Sequence, residues 1–248
     1  MFYLDPQKLR DPQASTLDVP QDWPAFYQQA AQEARDPRLR AFYQAGVVAA
    51  DTPIHQVPLL ALDFETTGMH PRKHSIVSIG LIPFHTQRIF CAQARHWIVK
   101  PLSDLNPESV VLHGITHADV QQAPDLDRIL EDVLQACAGH LVVVHHRGIE
   151  RPFLAEALKA RIQETLLFPM IDTMELEARW HRPPQRWWSR WWRSQPVSIR
   201  LADSRARYGL PRYRAHHALT DALATAELFQ AQIAHHLDAD TPVSALWG

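Results

Sequence analysis

Two carboxylates stand two residues apart at the end of an apolar run, in Leu60-Ala61-Leu62-Asp63-Phe64-Glu65-Thr66-Thr67-Gly68. On a strand this spacing puts Asp63 and Glu65 on one side and Phe64 on the other, facing a core. Two acids so placed repel each other and are costly to desolvate, so they need a cation. Their hard oxygens suit Mg²⁺ or Mn²⁺. A bare D-x-E is also what a strand running into a polar loop looks like, and these residues alone leave both readings open. A second set lies near the other end of the chain, in His216-His217-Ala218-Leu219-Thr220-Asp221, where a His precedes an Asp by five residues at the start of a helix. His217 is adjacent but out of register with that spacing.

The elements that must hold these residues can be read from pattern. Leu59 to Phe64 is a buried-strand signal, and Ser75 to Phe84 and Ile89 to Val99 are further strands. A short helical pattern near Ala118 and a longer one from Asp125 to Ala136 follow, the latter with Gly139 just beyond it. Leu141 to His145 reads as a strand, Ile149 to Ile162 as a helix, and a short strand ends at Asp172. From Ala218 to His236 the apolar positions Leu219, Leu223, Ala226, Leu228 and Ile233 give a strong helix. Strands first, then alternating helices and strands, give an α/β or mixed-sheet domain.

Residues 1–57 differ. One helix opens at Asp22 with Pro24 in its first turn, and the next takes Asp36 as cap and Pro37 as its first residue. Aromatic residues Trp23, Phe26, Tyr27, Phe42 and Tyr43 give both an apolar face. A Pro-punctuated linker, 51–58, completes this helical N-terminal extension.

The 248 residues carry 27 acidic and 25 basic side chains, for a net charge of −2. That balance speaks against a surface coated for duplex DNA but leaves room for a local basic patch. The two cysteines, Cys91 and Cys137, fit a reducing compartment, and no secretory signal or membrane span is visible, so the chain reads as cytoplasmic. Neither GxxxxGK[ST] nor GxGxxG occurs, which removes the commonest nucleoside-triphosphate and dinucleotide readings.

Taken together, the D-x-E-T-T-G string and H-x-A-x-x-D resemble the first and last motifs of the DnaQ-like (DEDDh-type, proofreading) 3′–5′ exonucleases. Trp97-Ile98-Val99-Lys100-Pro101 and Val111-Leu112-His113-Gly114-Ile115-Thr116 are similar to further family text. The resemblance covers residues 58–237 and implies a ribonuclease H-like mixed sheet flanked by helices, with 238–248 as a tail. It also implies hydrolysis of phosphodiester bonds from the 3′ end of single-stranded nucleic acid, DNA favoured, with two Mg²⁺ or Mn²⁺ ions. Asp63 would bridge both ions, Glu65 and Asp221 would hold the one carrying the attacking water, and His216 would take the water's proton. Thr66, Thr67 and Gly68 would lie near the terminal 3′-hydroxyl. His113, Gly114 and Ile115 would approach the terminal nucleotide, although a turn with a packing Ile explains them equally.

The middle motif departs from the family's H-N-x-x-F-D. Here His145-His146-Arg147-Gly148-Ile149-Glu150 puts Glu150 at the Asp, Ile149 at the aromatic and His146 at the Asn, and the resemblance implies that His145 and His146 contact the substrate. Glu150 is one methylene longer, and Mg²⁺ demands near-ideal geometry. Either Glu150 adjusts and ligates the second ion, or that site is weak and the protein is a sluggish enzyme or a non-catalytic binding member of the fold. A nuclease for short oligoribonucleotides is a third reading.

Residues 179–214 hold ten Arg against one acid, Asp203. Within this insertion Arg186, Arg190 and Arg193 fall on one face of a short amphipathic helix, and Trp187, Trp188, Trp191 and Trp192 on the other. Three readings compete: a Trp face packed on the domain, a substrate flap using Arg186 and Arg190 on phosphates, or a docking site for a protein partner or membrane surface. The N-terminal extension is a second candidate for partner docking.

Overall fold

The structure, a computed structural model, describes residues 19–182 and 196–248. At its centre is a six-stranded sheet. Strand β1 (Leu59–Thr66) pairs antiparallel with β2 (Ile76–His85), and on its other side parallel with β5 (Leu141–Val144), which pairs parallel with β6 (Met170–Asp172). The short strands β3 (Arg88–Ile89) and β4 (Arg95–Ile98) both pair with the free edge of β2. This is the mixed sheet flanked by helices that the resemblance implied, preceded by α1 (Trp23–Glu33) and α2 (Pro37–Gln44).

The expected single strand over 89–99 is broken in two. Pro83 of β2 accepts from the Phe90 N–H at 2.9 Å, so its carbonyl faces the edge strand. Carbonyl and N–H of one strand residue point the same way, and proline has no N–H to offer there. The edge chain leaves the ladder at that point through a 3₁₀ turn, Cys91–Gln93, and rejoins as β4.

The strand period sorts β1 into two cores. Leu60, Leu62 and Phe64 join one cluster with α5 (Leu126–Cys137) and α6 (Arg147–Ile162). Leu59 and Ala61 join another with α9 (Ala218–His236). Asp63 and Glu65 therefore continue the α9 face, as the two-residue spacing requires.

Helices α1 and α2 are capped by Asp22 and Asp36, with Pro at N1 or N2 of each. Trp23, Tyr27, Phe42 and Tyr43 are buried in the first cluster, and Phe42 meets Phe168 edge-on at 5.8 Å. These aromatics pack within the chain and leave a partner little of their surface. Arg38 ties α2 to α5 by reaching Asp127 at 2.8 Å. Residues 241–247 also return to the domain. Val243 and Leu246 are buried, the Ile54 N–H donates to the Thr241 carbonyl, and Trp247 bridges to Ile171.

Four short helices complete the fold: α3 (Pro107–His113), α4 (His117–Gln122), α7 (Thr173–His181) and α8 (Leu201–Arg207). The expected Arg–Trp helix lies outside the described residues. No helix among the described residues is long and apolar enough to cross a membrane.

Candidate active site

Three carboxylates converge where β1 ends. Oxygens of Asp63, Glu65 and Asp221 lie within 4.8 Å of one another. The ladder register shifts between Glu65 and Thr66, a bulge of the kind that re-aims side chains beside a site. Asp221 comes from the first turn of α9, whose cap is His217: its Nδ1 accepts from the Thr220 N–H at 3.4 Å. The His217 ring leans on His96 at 4.8 Å, and His96 is held by Ser78 at 2.7 Å. His217 is thus a structural residue of the helix start.

His216 precedes it in the left-handed region, at φ +69°, and its N–H donates to Asp221 Oδ2 at 2.8 Å. A non-glycine residue there is uncommon, and that bond helps to hold it. The side chain of His216 is exposed and lies beside His113.

Close approach of α9 to the sheet depends on Gly80, the cross-strand partner of Asp63. A Cβ on Gly80 would stand 2.3 Å from the carbonyl carbon of Ala218. No side chain fits between β2 and the start of α9, so glycine is required for Asp221 to reach Asp63.

Glu150 enters from the opposite side, in the first turn of α6. It is 3% exposed, and its Oε2 has no hydrogen-bond partner among the described residues. The α6 start is set by Asp172, whose carboxylate accepts the N–H groups of His146 and Arg147 at 3.0 Å each. The same carboxylate caps α7 through Met174 and Glu175. One side chain therefore orients two helices.

Burial raises the affinity of this acid group for protons. Asp63 is pushed well above the usual carboxylate range, first by desolvation and then by the charges of Glu150, Asp221 and Glu65. Glu65 is pushed up to about 8 by desolvation and Asp221. Glu150 and Asp221 are raised as well, again chiefly by burial. Glu150 faces Asp63 but stands outside the compact trio.

The remaining expected residues divide. Thr66 Oγ1 donates to the Gly68 carbonyl at 2.8 Å, and Thr67 is buried beside Ser103 and Ser75. Gly114 ends α3 at φ +73°, Ile115 packs inward, and His113 accepts from the Ile115 N–H while its Nε2 is buried without a partner among the described residues. His145 does not face the acids. Its ring nitrogens meet Thr173 Oγ1 at 2.8 Å and the Ile199 carbonyl at 3.1 Å, and burial depresses it to about 4. His146 stands at the start of α6 at φ +104° and makes no capping bond with its side chain. Arg186 and Arg190 lie outside the described residues. Gly80, Ser78 and His96 were not singled out in the sequence; an isolated glycine inside the apolar β2 run was the available signal.

The family model described as Exonuclease (RNase_T) matches residues 60–229. The chain belongs to the exonuclease family. Within it the chain is a DnaQ-like, DEDDh-type member, of a family that hydrolyses phosphodiester bonds, and its acidic trio is typical of metal-dependent DEDD nucleases. It is 25% identical over 179 residues to the PolC-type DNA polymerase III of Thermotoga petrophila, covering 72% of this chain and 12% of that protein. It is 25% identical over 144 residues to the DNA polymerase III subunit epsilon of Pasteurella multocida, covering 54% of this chain and 56% of the relative. The chain thus spans less than two thirds of these relatives. Among solved structures, the nuclease domain of 3′hExo bound to rAMP superposes with a TM-score of 0.60 at 16% identity, over 72% of this chain and 92% of that one. Exonuclease X in complex with 5′ overhanging duplex DNA gives 0.55 at 20% identity, over the same shares of each chain.

Proposed function

We propose that this exonuclease-family chain is a divalent-metal-dependent enzyme that removes nucleotides from the 3′ end of single-stranded nucleic acid, DNA favoured. The observation that carries the reading is the convergence of Asp63, Glu65 and Asp221 with His216 tied to Asp221. DNA is favoured because relatives of the matched region are DNA polymerase III chains by name.

The donor set fits divalent ions. Three hard carboxylates lie close enough to share one, each with a raised proton affinity that a cation would reverse, and the uncompensated Glu150 Oε2 gives a further oxygen. Mg²⁺ or Mn²⁺, when bound, would supply charge on the scissile phosphate and a more acidic water. Asp63, Glu65 and Asp221 would hold the cation, with Glu150 on the far side of Asp63. His216 would accept the proton of the attacking water, since its ring is exposed at the cluster and its backbone is anchored by Asp221. Gly80 and Asp172 act earlier, by positioning α9 and α6.

The test is release of mononucleotides from a 5′-labelled single-stranded oligonucleotide with Mg²⁺ and then Mn²⁺. Asp63→Ala and Asp221→Ala should each abolish it, and His216→Ala should slow it by ~10²–10⁴ while leaving the fold intact. Unchanged turnover in either Asp variant refutes the assignment. The likeness to a structure with bound rAMP supports an oligoribonucleotide substrate as the second reading, so the assay includes the RNA strand of the same sequence.

A further inference from the structure

A cavity of about 220 Å³ lies behind Thr67, on the side of the sheet away from α9. Its floor is apolar, built from Ile76, Val99, Leu126 and Phe153. Leu102 stands at its edge, 62% exposed, an apolar side chain that nothing in the described chain covers. Polar groups also line it: Arg72 and Lys73 from the β1–β2 loop, Glu156 from α6, and the hydroxyls of Ser75 and Ser103.

The loop that presents the two cations is tightly folded. The His70 carbonyl accepts the N–H groups of both Lys73 and His74, and the His74 ring fills the space where Gly68 lacks a Cβ. Neither cation is neutralised closely. Arg72 is 76% exposed and comes only within 3.9 Å of Glu156, and Lys73 makes no ion pair among the described residues. Arg161, by contrast, is committed to Asp125 through two bonds.

The hydroxyls form a directed chain. Ser103 Oγ donates to Ser75 Oγ at 3.0 Å, and the N–H groups of Leu102 and Ser103 donate to the same oxygen. Ser75 Oγ accepts in all three, so its own proton remains free for a ligand among the described contacts. The chain ends on Thr67, whose Oγ1 meets Ser103 at 2.9 Å, two residues past Glu65. Phe153 stands one helical turn beyond Glu150. The elements beside the cavity, α6 and the end of β1 with the loop that follows it, are thus the same ones that carry Glu150 and Glu65.

Free cations and a hydroxyl donor beside an apolar floor match one nucleotide: phosphate oxygens on Arg72, Lys73 and Ser75, the base against the exposed Leu102, and an exocyclic amine on Glu156. The volume is below the ~300–1,000 Å³ of drug-sized sites, which limits it to a single base. Resting on the exonuclease reading above, we propose that this cavity is a subsite for a nucleotide of the substrate strand at least two positions upstream of the scissile bond, beyond the reach of a dinucleotide.

The test uses the full chain and two variants outside the catalytic cluster. Ala160→Trp, at an exposed helix position on the lining, would fill the cavity; Arg72→Glu with Lys73→Glu would reverse its charge. Anisotropy of a labelled single-stranded deoxyoligonucleotide and of a dinucleotide is followed in calcium at several salt concentrations. Ala160→Trp should weaken oligonucleotide binding by roughly tenfold or more and leave the dinucleotide unaffected. The double variant should flatten the salt slope by about 1.4, for two lost single-strand phosphate contacts. Thermal melting should match wild type in both. Wild-type oligonucleotide binding in both variants overturns the proposal, as does an equal loss for the dinucleotide. Binding of free dTMP that Ala160→Trp abolishes while oligonucleotide binding persists would overturn it in favour of a free-nucleotide site. A wild type that binds through the cavity but cuts nothing refutes the exonuclease reading and leaves the subsite standing.

Discussion

Gly80→Ala adds one methyl group at the point where α9 meets the sheet. The new Cβ would lie 2.3 Å from the carbonyl carbon of Ala218, 2.4 Å from the Leu219 nitrogen and 2.5 Å from the Ala218 oxygen. Ordinary contact begins at 3.4 Å, so the start of α9 must withdraw by about 1 Å. The obstacle is backbone, which has no rotamer to escape into. Asp221 lies one turn further along the same helix and would move with it, within a cluster whose oxygens are at most 4.8 Å apart. A misplacement near 1 Å costs on the order of 10² in rate, and overpacking of this kind costs about 1–3 kcal/mol in stability. The assay pairs mononucleotide release under saturating Mn²⁺ with a urea melt. Leu134→Ala is the control: it lies in the core on the other face of the sheet, should lose about 2–5 kcal/mol, and should keep its rate per folded molecule. Wild-type turnover in Gly80→Ala, or an equal rate loss in the control, would refute the claim that the glycine sets the reach of Asp221.

The acidic cluster also predicts a pH dependence of the metal-free fold. Glu65 titrates near 8 in the folded chain against 4.5 as a free group, so the fold holds a proton that the unfolded chain releases. Its stabilisation is complete below the lower value and lost as pH rises through the higher one. Tm in EDTA should therefore fall between about pH 5.5 and 8.5, and Mn²⁺ should shrink the fall; a flat profile in EDTA would contradict the burial argument. Glu150→Gln removes a buried, unpaired carboxylate facing Asp63 and should raise metal-free stability at pH 8 by about 1–3 kcal/mol while slowing cleavage. Loss of stability in that variant would mean that Glu150 is satisfied in some other way. Asp172→Ala uncaps α6 and α7 together and should cost about 1–4 kcal/mol by urea denaturation, twice the range of a single cap. A cost below that of one cap would show that the two helix starts are held independently.

What could be read in advance was what depends on neighbours in sequence. Asp36-Pro37 starts a helix because cap and first turn are contiguous, and Ala218 to His236 shows its period over five turns. Asp63, Glu65 and Asp221 were legible because each sits in a short motif on one element. The short helix α3 carried its own start signal, Asn106-Pro107-Glu108, which competed with a motif-based reading of the residues just after it. Helices α7 and α8 lie in or beside the Arg-rich stretch, where charge rather than period dominated the pattern. The break at Pro83 was less visible, because its cost falls on a different strand, the one that would have paired with the missing N–H.

Glu150 shows where such reading stops. The sequence identifies the substitution and its extra methylene, but what that methylene does depends on where α6 begins. That point is set by Asp172, twenty-two residues downstream on another strand, which accepts the first N–H groups of α6. With the helix start fixed there, the longer side chain is buried toward Asp63 and leaves one oxygen unpaired. A shorter Asp at the same position would withdraw that oxygen from the cluster unless α6 itself moved inward. The family's usual acid is therefore no simple repair here: Glu150→Asp should restore the motif while weakening the contact. If Glu150→Asp cleaves faster than the native chain, α6 is free to shift and Asp172 does not set its position.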